Sequence, residues 1–475
     1  MNSNQLTFWD GAGKIQPSQL YKFLETKGIG LYHADSSKEK GSNPKVIQVV
    51  NNLVNEVSES YLINIAKQQI KRCIDNQGNE SVILDSFHKN TGLFSGRNLF
   101  LLPKLDIKFI EDTRDKTFFF FRNGVVEVTS KGCTIKKYEE LTGCVWENNI
   151  IDREVNLQEH IKINNSVFYQ FLRDITYVAD RMHWNQRTIS LATAIGYLLN
   201  RYKNEGLTKS IILMDEKIDG VENGGTGKTL LAKAINQLRN LHIIDGKFYD
   251  SKQWFQFDRI SLATEVVLFD DIDSRFDFSK LFSVVTTGLE VKQRYKDSVY
   301  IPYEKSPKIM LTTNYAINGA GSSFKRRAFE FEVSHYYSDT LKPDEKFGHL
   351  FFEDWKSEEY DRFYALMFWC TSLFHKKGLF ESEPINIKQS KLLASTCEEF
   401  IEFADDYLKP NVKEDKASLF LRFTNIFPEH NHMSRRTFTD WLKKWGEYKG
   451  YRINETHSNK DRFIQFDEKP QKTAE

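Results

Sequence analysis

The sequence predicts an α/β core, a parallel sheet flanked by helices, with an α+β region before it and a compact helix-and-hairpin module after it. Three observations carry this prediction. From about residue 208, short apolar runs alternate with helical stretches: SIILM, EVVLF, KIMLTTN and FEFEV read as strands, and such alternation marks a parallel sheet with crossover helices. A Gly-rich turn, GVENGGTGKTLLAKAI, follows the first strand and opens a helix from Lys228 to about Asn240. The composition, 40% hydrophobic and 28% charged over 475 residues, is that of an ordinary globular chain, long enough for two to four domains at about 100–200 residues each.

In chain order the expected divisions are 1–150, an α+β region; 151–207, helical; 208–340, the core; 341–394, a helical extension; and 395–475, the C-terminal module. Helices are expected over Pro17 to Thr26 and Pro44 to Asn76. FFFFRNGVVEVTSKGCTIKKY, with turn signals at Asn123-Gly124 and Lys131-Gly132, predicts a small β-meander. Residues 155–205 read as helical, closing on LATAIGYLLNRYKNEG with Gly206 near the stop. Residues 340–380 are rich in aromatics and read as helical. Phe is used 37 times, an excess that composition alone does not explain.

The Gly-rich turn is the first element that carries chemistry. In such a turn successive backbone N–H groups point at phosphate oxygens, and the helix that follows adds its positive end. Asn223, Gly224, Gly225, Thr226, Gly227, Lys228, Thr229 and Leu230 form the candidate nucleotide loop. Lys228 would reach the β- and γ-phosphates, and the Thr229 hydroxyl would ligate Mg²⁺. The usual pattern, G-x-x-x-x-G-K-[ST], has Glu222 in place of its first Gly, and Gly224 and Gly225 can supply that flexibility. A bare Gly-Lys-Ser/Thr arises by chance in roughly one chain in four of this length. The strand before and the helix after are the context that separates a phosphate loop from chance.

EVVLFDDID then delivers Asp270 and Asp271 to the end of a buried strand, where phosphate-loop enzymes hold the Mg²⁺ shell. Asp270 is the candidate for the metal shell and Asp271 for orienting or deprotonating the attacking water, with Asp273 a weaker candidate. Two solvated acids at a strand end are the plain alternative. KIMLTTN ends in Asn314, whose amide can bond the γ-phosphate or the water, although Asn is also an ordinary turn residue. In SSFKRRAFEFEV, Arg326 and Arg327 precede an alternating strand. One of them can neutralise charge on a transferring phosphoryl group, or the pair is a basic loop.

These elements, in this order and within about 110 residues, resemble a superfamily 3 helicase, an AAA+-like P-loop ATPase. ENGGTGKT resembles that family's nucleotide loop, VVLFDD its acidic motif, MLTTN its sensor and RAFEFEV its arginine-finger motif. LEVKQRYKDS resembles the motif whose β-hairpin grips DNA in the central channel. Arg294 and Lys296 fall where the family places its basic pair, with Lys292 beside them. By that alignment Arg327 is the finger and Arg326 the runner-up. AIGYLLNRY and FRNGVVEV resemble the collar of phage and poxvirus-type primase-helicases, which makes 151–207 a helical collar. The likeness covers about residues 100–335 well and the remainder loosely. It implies ATP hydrolysis with Mg²⁺ and a homo-hexameric ring that translocates on single-stranded and forked DNA. It also implies a role in viral, phage or mobile-element replication, with a separate primase or replication initiator as partner. No D-x-D acid pair stands in the first 150 residues, so that region gives no ground to assign primase activity.

The C-terminal module begins its main helix in SRRTFTDWLKKWGEYKG. Ser434 is an N-cap, and Phe438, Trp441, Leu442 and Trp445 form an apolar stripe at helical spacing. YRINETHSNKDRFIQF reads as two strands, so the order predicts a winged-helix-like fold. Arg435 and Arg436 are its candidate DNA contacts, or part of a solvated basic face, and the aromatic stripe is expected to be core. The formal net charge of +1 leaves DNA binding to such local clusters. The five cysteines form no CxxC pair and none stands near a His at zinc spacing, which predicts reduced structural thiols. No apolar run approaches a membrane span and the start lacks a signal-peptide pattern, so a cytoplasmic place, in a bacterial host or an infected cell, is expected. Two other readings compete with the helicase: a P-loop ATPase that remodels or senses nucleic acid or protein without unwinding, and an origin-binding protein that keeps ATP as a structural ligand.

Overall fold

A computed structural model describes residues 6–33, 44–74, 80–157, 162–216, 225–249, 257–273, 276–292, 298–317, 321–458 and 461–468. The chain divides into two compact units, Met1–Glu159 and His160–Glu475.

In the first unit, α1 (Pro17–Thr26) and β1 (Ile29–Tyr32) precede β2 (Lys45–Val50), β3 (Leu53–Glu56), α2 (Glu59–Ile74), α3 (Glu80–Lys89) and the single turn α4 (Gly96–Leu99). The expectation of one helix from Pro44 to Asn76 is corrected: its opening stretch is an antiparallel hairpin of β2 on β3, with Val49 opposite Val54. The cause is local. KVIQVV is rich in β-branched residues. Asn51 and Asn52 both take positive φ, 49° and 64°, the left-handed pair that a two-residue hairpin turn requires. β4 (Thr117–Phe121), β5 (Gly124–Thr129) and β6 (Gly132–Lys136) form the expected meander, and β7 (Val145–Trp146) pairs with β3 in parallel.

The second unit opens with α5 (Val167–Ile175), capped by Ser166, and α6 (Arg181–Leu199), capped by Asp180. Helix α6 stops at Leu199, well short of Gly206. Its last carbonyls already have partners: Lys308 Nζ donates to Tyr197 O and Arg239 Nε to Leu199 O, both at 2.6 Å. Buried cations thus cap the helix, and no glycine is needed there.

The core strands are β8 (Ser210–Asp215), β9 (Leu241–Asp245), β10 (Val266–Ile272), β13 (Lys308–Thr313) and β14 (Ala328–Val333). They form a five-stranded sheet in the order β14-β8-β13-β10-β9, every pair parallel. β8 and β13 are buried at every position, because a parallel sheet flanked by helices covers both faces. α7 (Lys228–Asn236) follows β8 and ends somewhat before the expected Asn240. β9 was not among the expected strands: LHIID lies at the sheet's edge, half-exposed, and lacks an apolar run. α8 (Phe282–Thr286) and a hairpin of β11 (Gly288–Val291) with β12 (Val299–Pro302) lie between β10 and β13, and α9 (Gly321–Arg327) leads into β14.

After the sheet come α10 (Pro343–Phe347), α11 (Ser357–Lys377) and α12 (Ile387–Ser395). The expected helix over 340–380 is therefore only partly helical, since residues 348–356 form an aromatic turn around Phe351, Phe352 and Trp355. The last elements are α13 (Glu398–Tyr407), β15 (Lys413–Asp415), α14 (Lys416–Ile426), α15 (Arg435–Tyr448), β16 (Arg452–Ser458) and β17 (Asp461–Asp467). Their core holds Phe400, Phe423, Phe438, Leu442 and Trp445, so most of the aromatic stripe of α15 is core, as expected. Among the described residues, no helix is long and apolar enough to cross a membrane.

Candidate functional site

The strand register brings the carboxyl ends of β8, β13 and β10 to one level. Met214 pairs with Thr313 and Phe269 with Leu311, so Asp215, Asp270, Asp271 and Asn314 all emerge at the same edge. The chain leaves β8 for β9, returns through β10 and β13, and then crosses to the other side of β8 as β14. That reversal is a topological switch point, where open α/β sheets bind ligands beyond their carboxyl ends. A cavity of about 530 Å³ lies there, lined by the run from Gly225 to Leu230 and by Asp270, Asp271 and Asn314.

Two glycines shape the loop. Gly225 and Gly227 have φ of 88° and 98°, left-handed values that an L side chain resists. At Gly227 a Cβ would also lie 2.8 Å from the Phe171 ring. The Phe171 ring stacks on Tyr337, with centroids 5.8 Å apart, and meets Phe351 edge-on. Part of the Phe excess thus builds an aromatic floor under the loop.

Lys228, at the first turn of α7, is buried and has three oxygen partners: Asp215 Oδ1 at 2.6 Å, Asn314 Oδ1 at 2.8 Å and Thr226 Oγ1 at 3.2 Å. Burial pulls its ammonium below the ordinary lysine value, and Asp215 pushes back. Asp215 is itself 2% exposed, also accepts from Thr226 Oγ1 at 2.7 Å, and leaves its second oxygen without a protein donor among the described residues. A cation so placed can move from carboxylate to phosphate with little change in position.

The paired acids sit on a β-bulge. Between Phe269 and Ile272 the strand β10 spends two residues against one, Thr312, on β13. Asp271 takes a φ of 56°, which costs a non-glycine residue about 1–2 kcal/mol. In a regular strand adjacent side chains point to opposite faces. Here one hydroxyl serves both acids: Thr312 Oγ1 donates to Asp270 Oδ1 at 2.5 Å and accepts from the Asp271 N–H at 2.8 Å. Asp271 is reached by Asn314 Nδ2 at 3.4 Å and forms an ion pair with Lys247 at 2.8 Å. Thr229 and Asp270 offer hard oxygen donors to the same cavity, a set that suits Mg²⁺.

The structure therefore brings together Gly225, Thr226, Gly227, Lys228, Thr229, Leu230, Asp270, Asp271 and Asn314. Asn223 and Gly224 lie outside the described residues. Arg326 and Arg327 do not line the cavity. Both belong to the end of α9, where Arg326 is exposed and Arg327 lies over the Phe282 ring at 4.6 Å. The β11–β12 hairpin is present. Lys292 stands at its end, and Arg294 and Lys296 lie outside the described residues. Arg435 and Arg436 are exposed on the first turn of α15, whereas Lys443 of that helix and Lys449 just after it are paired with Glu455 and Asp405.

Sequence reasoning missed Asp215, Thr226 as a partner of Lys228, Thr312 and Lys247. It also missed the far wall of the cavity, contributed by Pro343, Asp344, Leu350, Phe351 and Glu353. Asp215 was findable as an acid closing a wholly apolar strand. The far wall carries no motif.

No family model matches the chain, and no curated protein matches it. Among solved structures, the chain is similar to the A-form apo structure of the NrS-1 C-terminal region, with a TM-score of 0.43 and 13% identity over 94% of this chain and 99% of that one. It is similar also to the A-form apo structure of that region described as 305–718, with a TM-score of 0.41 at 14% identity over 95% of this chain and 100% of that chain. A JCV helicase with a bound acetamide compound has a TM-score of 0.25 at 14% identity over 60% of this chain and 67% of that chain.

Proposed function

We propose that this chain is an ATP-driven DNA helicase of the superfamily 3 type, working as a hexameric ring on single-stranded DNA in viral, phage or mobile-element replication. The observation that supports the reading most is the convergence of Lys228, Asp270, Asp271 and Asn314 on one cavity at the sheet's switch point. In this reading Lys228 holds the β- and γ-phosphates of ATP, with the backbone of the loop around Gly225 and Gly227. Thr229 and Asp270 would hold Mg²⁺, whose charge offsets that of the phosphate oxygens. Asp271, turned into the cavity by the bulge, takes the proton of the attacking water, and Asn314 orients that water or the γ-phosphate. Arg327, with Arg326 as runner-up, serves the nucleotide of the neighbouring subunit.

DNA contact is assigned to the β11–β12 hairpin, through Lys292, Arg294 and Lys296, and to the winged-helix-like module through Arg435 and Arg436. A separate primase or replication initiator would complete the assembly, in the cytoplasm of a bacterial host or an infected cell. Strand displacement on a forked duplex tests the reading. The Arg294→Ala, Lys296→Ala double variant should keep basal ATP hydrolysis within about twofold and lose unwinding, because in this reading the two removed charges meet phosphate backbone outside the nucleotide site. Equal unwinding by variant and parent would favour the P-loop ATPase that remodels without unwinding, and absence of ATP turnover in the parent would leave a binding protein.

A further inference from the structure

Cys397 and Glu399, two residues apart, meet His430, over thirty residues further along, in the C-terminal module. Cys397 is the residue before α13, Glu399 lies in its first turn, and His430 closes the short 3₁₀ turn Pro428–His430 between α14 and α15. Their ligand atoms lie within 4.8 Å of one another. Cys397 Sγ is 3.7 Å from His430 Nε2, and Glu399 Oε2 is also 3.7 Å from that nitrogen. An oxygen–nitrogen separation of that size is too long for a hydrogen bond. Around a tetrahedral Zn²⁺, with Zn–S about 2.3 Å and Zn–N and Zn–O about 2.0–2.2 Å, the sulfur and nitrogen would be about 3.6 Å apart and the nitrogen and oxygen about 3.4 Å. The sulfur–nitrogen and nitrogen–oxygen pairs therefore stand near the spacing of ligands around an ion, with the sulfur and the carboxylate within 4.8 Å of each other.

The scaffold is rigid where it must be. The His430 ring stacks on Phe423 at 5.3 Å and 29°, and meets Trp441 edge-on at 6.2 Å. Phe423 is fully buried in the module's core. The His430 N–H donates to Phe427 O at 3.1 Å, and its carbonyl accepts from Met433 N at 2.9 Å. Cys397 makes no side-chain cap of α13, and its carbonyl accepts from Ile401 N at 3.2 Å. All three ligand residues are half-buried, so one side faces solvent.

We propose that Cys397, Glu399 and His430 form a Zn²⁺ site with water in the fourth position. Thiolate, imidazole and carboxylate together suit zinc and disfavour Mg²⁺ or Ca²⁺, which prefer oxygen alone. On binding, the thiol proton leaves to solvent and the thiolate sulfur bonds to the metal. The ion then ties the start of α13 to the turn that leads, through the Ser434 cap, into α15. Zinc thereby holds in place the helix that displays Arg435 and Arg436.

Co²⁺ added to the metal-stripped full chain is the probe, because a thiolate–cobalt bond gives a charge-transfer band that carboxylate and hydroxyl ligands do not. The expected result is one such band, saturating at one Co²⁺ per chain and displaced by Zn²⁺. Co²⁺ held by Thr229 and Asp270 would add no thiolate band. Cys397→Ser should abolish the band, and Cys133→Ser, at an exposed thiol, should leave it unchanged. Glu399→Gln, a change at a half-exposed side chain that keeps the fold, should weaken Co²⁺ binding at least ~10-fold while the band persists. Zn²⁺ should raise the unfolding midpoint of the parent and not of Cys397→Ser. A parent without a thiolate band, a band that survives Cys397→Ser, or full affinity in Glu399→Gln overturns the proposal.

Discussion

Lys228 and Arg327 are both long cations at the ends of short helices beside the same sheet, and the fold treats them differently. Lys228 starts α7, is buried, and has three oxygen acceptors within 3.2 Å, drawn from β8, the loop and the residue after β13. Arg327 ends α9, is half-buried, and gives its one described hydrogen bond to Ser323 O of its own helix at 3.2 Å. Its Nε is buried without an acceptor among the described residues. The first cation is positioned by three elements of one chain. The second is held by a helical turn and the Phe282 ring, and it keeps an unused donor. Under the proposed function, Lys228 works on the nucleotide of its own subunit's loop, and Arg327 is the group that would serve a neighbour's.

The strongest test of the comparison is Lys228→Ala. Hydrolysis should fall by about 10³-fold or more, since a phosphate contact made in the transition state is lost. Stability should fall as well, because the Asp215 carboxylate is left buried with only Thr226, and one orphaned member of a buried pair costs about 3–5 kcal/mol. Adding Asp215→Asn should restore much of the stability and none of the turnover. If Lys228→Ala unfolds at the parent's denaturant midpoint, the buried pair does not hold the loop.

Arg327→Ala should cut turnover by about 10³-fold with little effect on stability. Mixed with Lys228→Ala subunits, it should recover part of the activity, because some interfaces then pair an intact loop with an intact arginine. Rings proven to have exchanged subunits, yet silent, would place Arg327 outside the neighbour's site.

Next in size is Asp271→Asn, which should lower turnover about 10²-fold and leave nucleotide affinity nearly unchanged. Asp270 and Thr312 still shape the metal side of the bulge in that variant. Normal turnover in it would mean that the bulge does not present a base.

The smallest effect on hydrolysis belongs to Asp215→Asn, within about tenfold. Its stability loss should stay below the roughly 3–5 kcal/mol of a fully orphaned ion, because Asn314 Oδ1 still accepts from Lys228. ATP should raise the midpoint of this variant by more than that of the parent, since Lys228 no longer has to leave a carboxylate. An equal rise in both would show that Asp215 does not compete with phosphate.

Much of this was legible in the residues themselves. The four core strands, the helix opening at Lys228, the meander, and α15 followed by the β16–β17 hairpin follow from apolar runs, turn residues and helical period, which are local properties of the chain. The same pattern marks the strand ends and helix start where Lys228, Thr229, Asp270, Asp271 and Asn314, all lining the cavity, stand. Other features are not local. The edge strand β9 has no apolar run, since its pairing with β10 makes it a strand. The end of α6 is decided by Lys308 and Arg239, which arrive from elsewhere in the chain to take its carbonyls. Asp215 becomes the partner of Lys228 because parallel register aligns strand ends that the sequence separates. The acids share Thr312 because a bulge breaks the alternation that adjacent residues would otherwise obey. Period and composition record what a residue does to its own segment. Which strand end, side chain or carbonyl meets another is set by packing, and only the folded chain decides it.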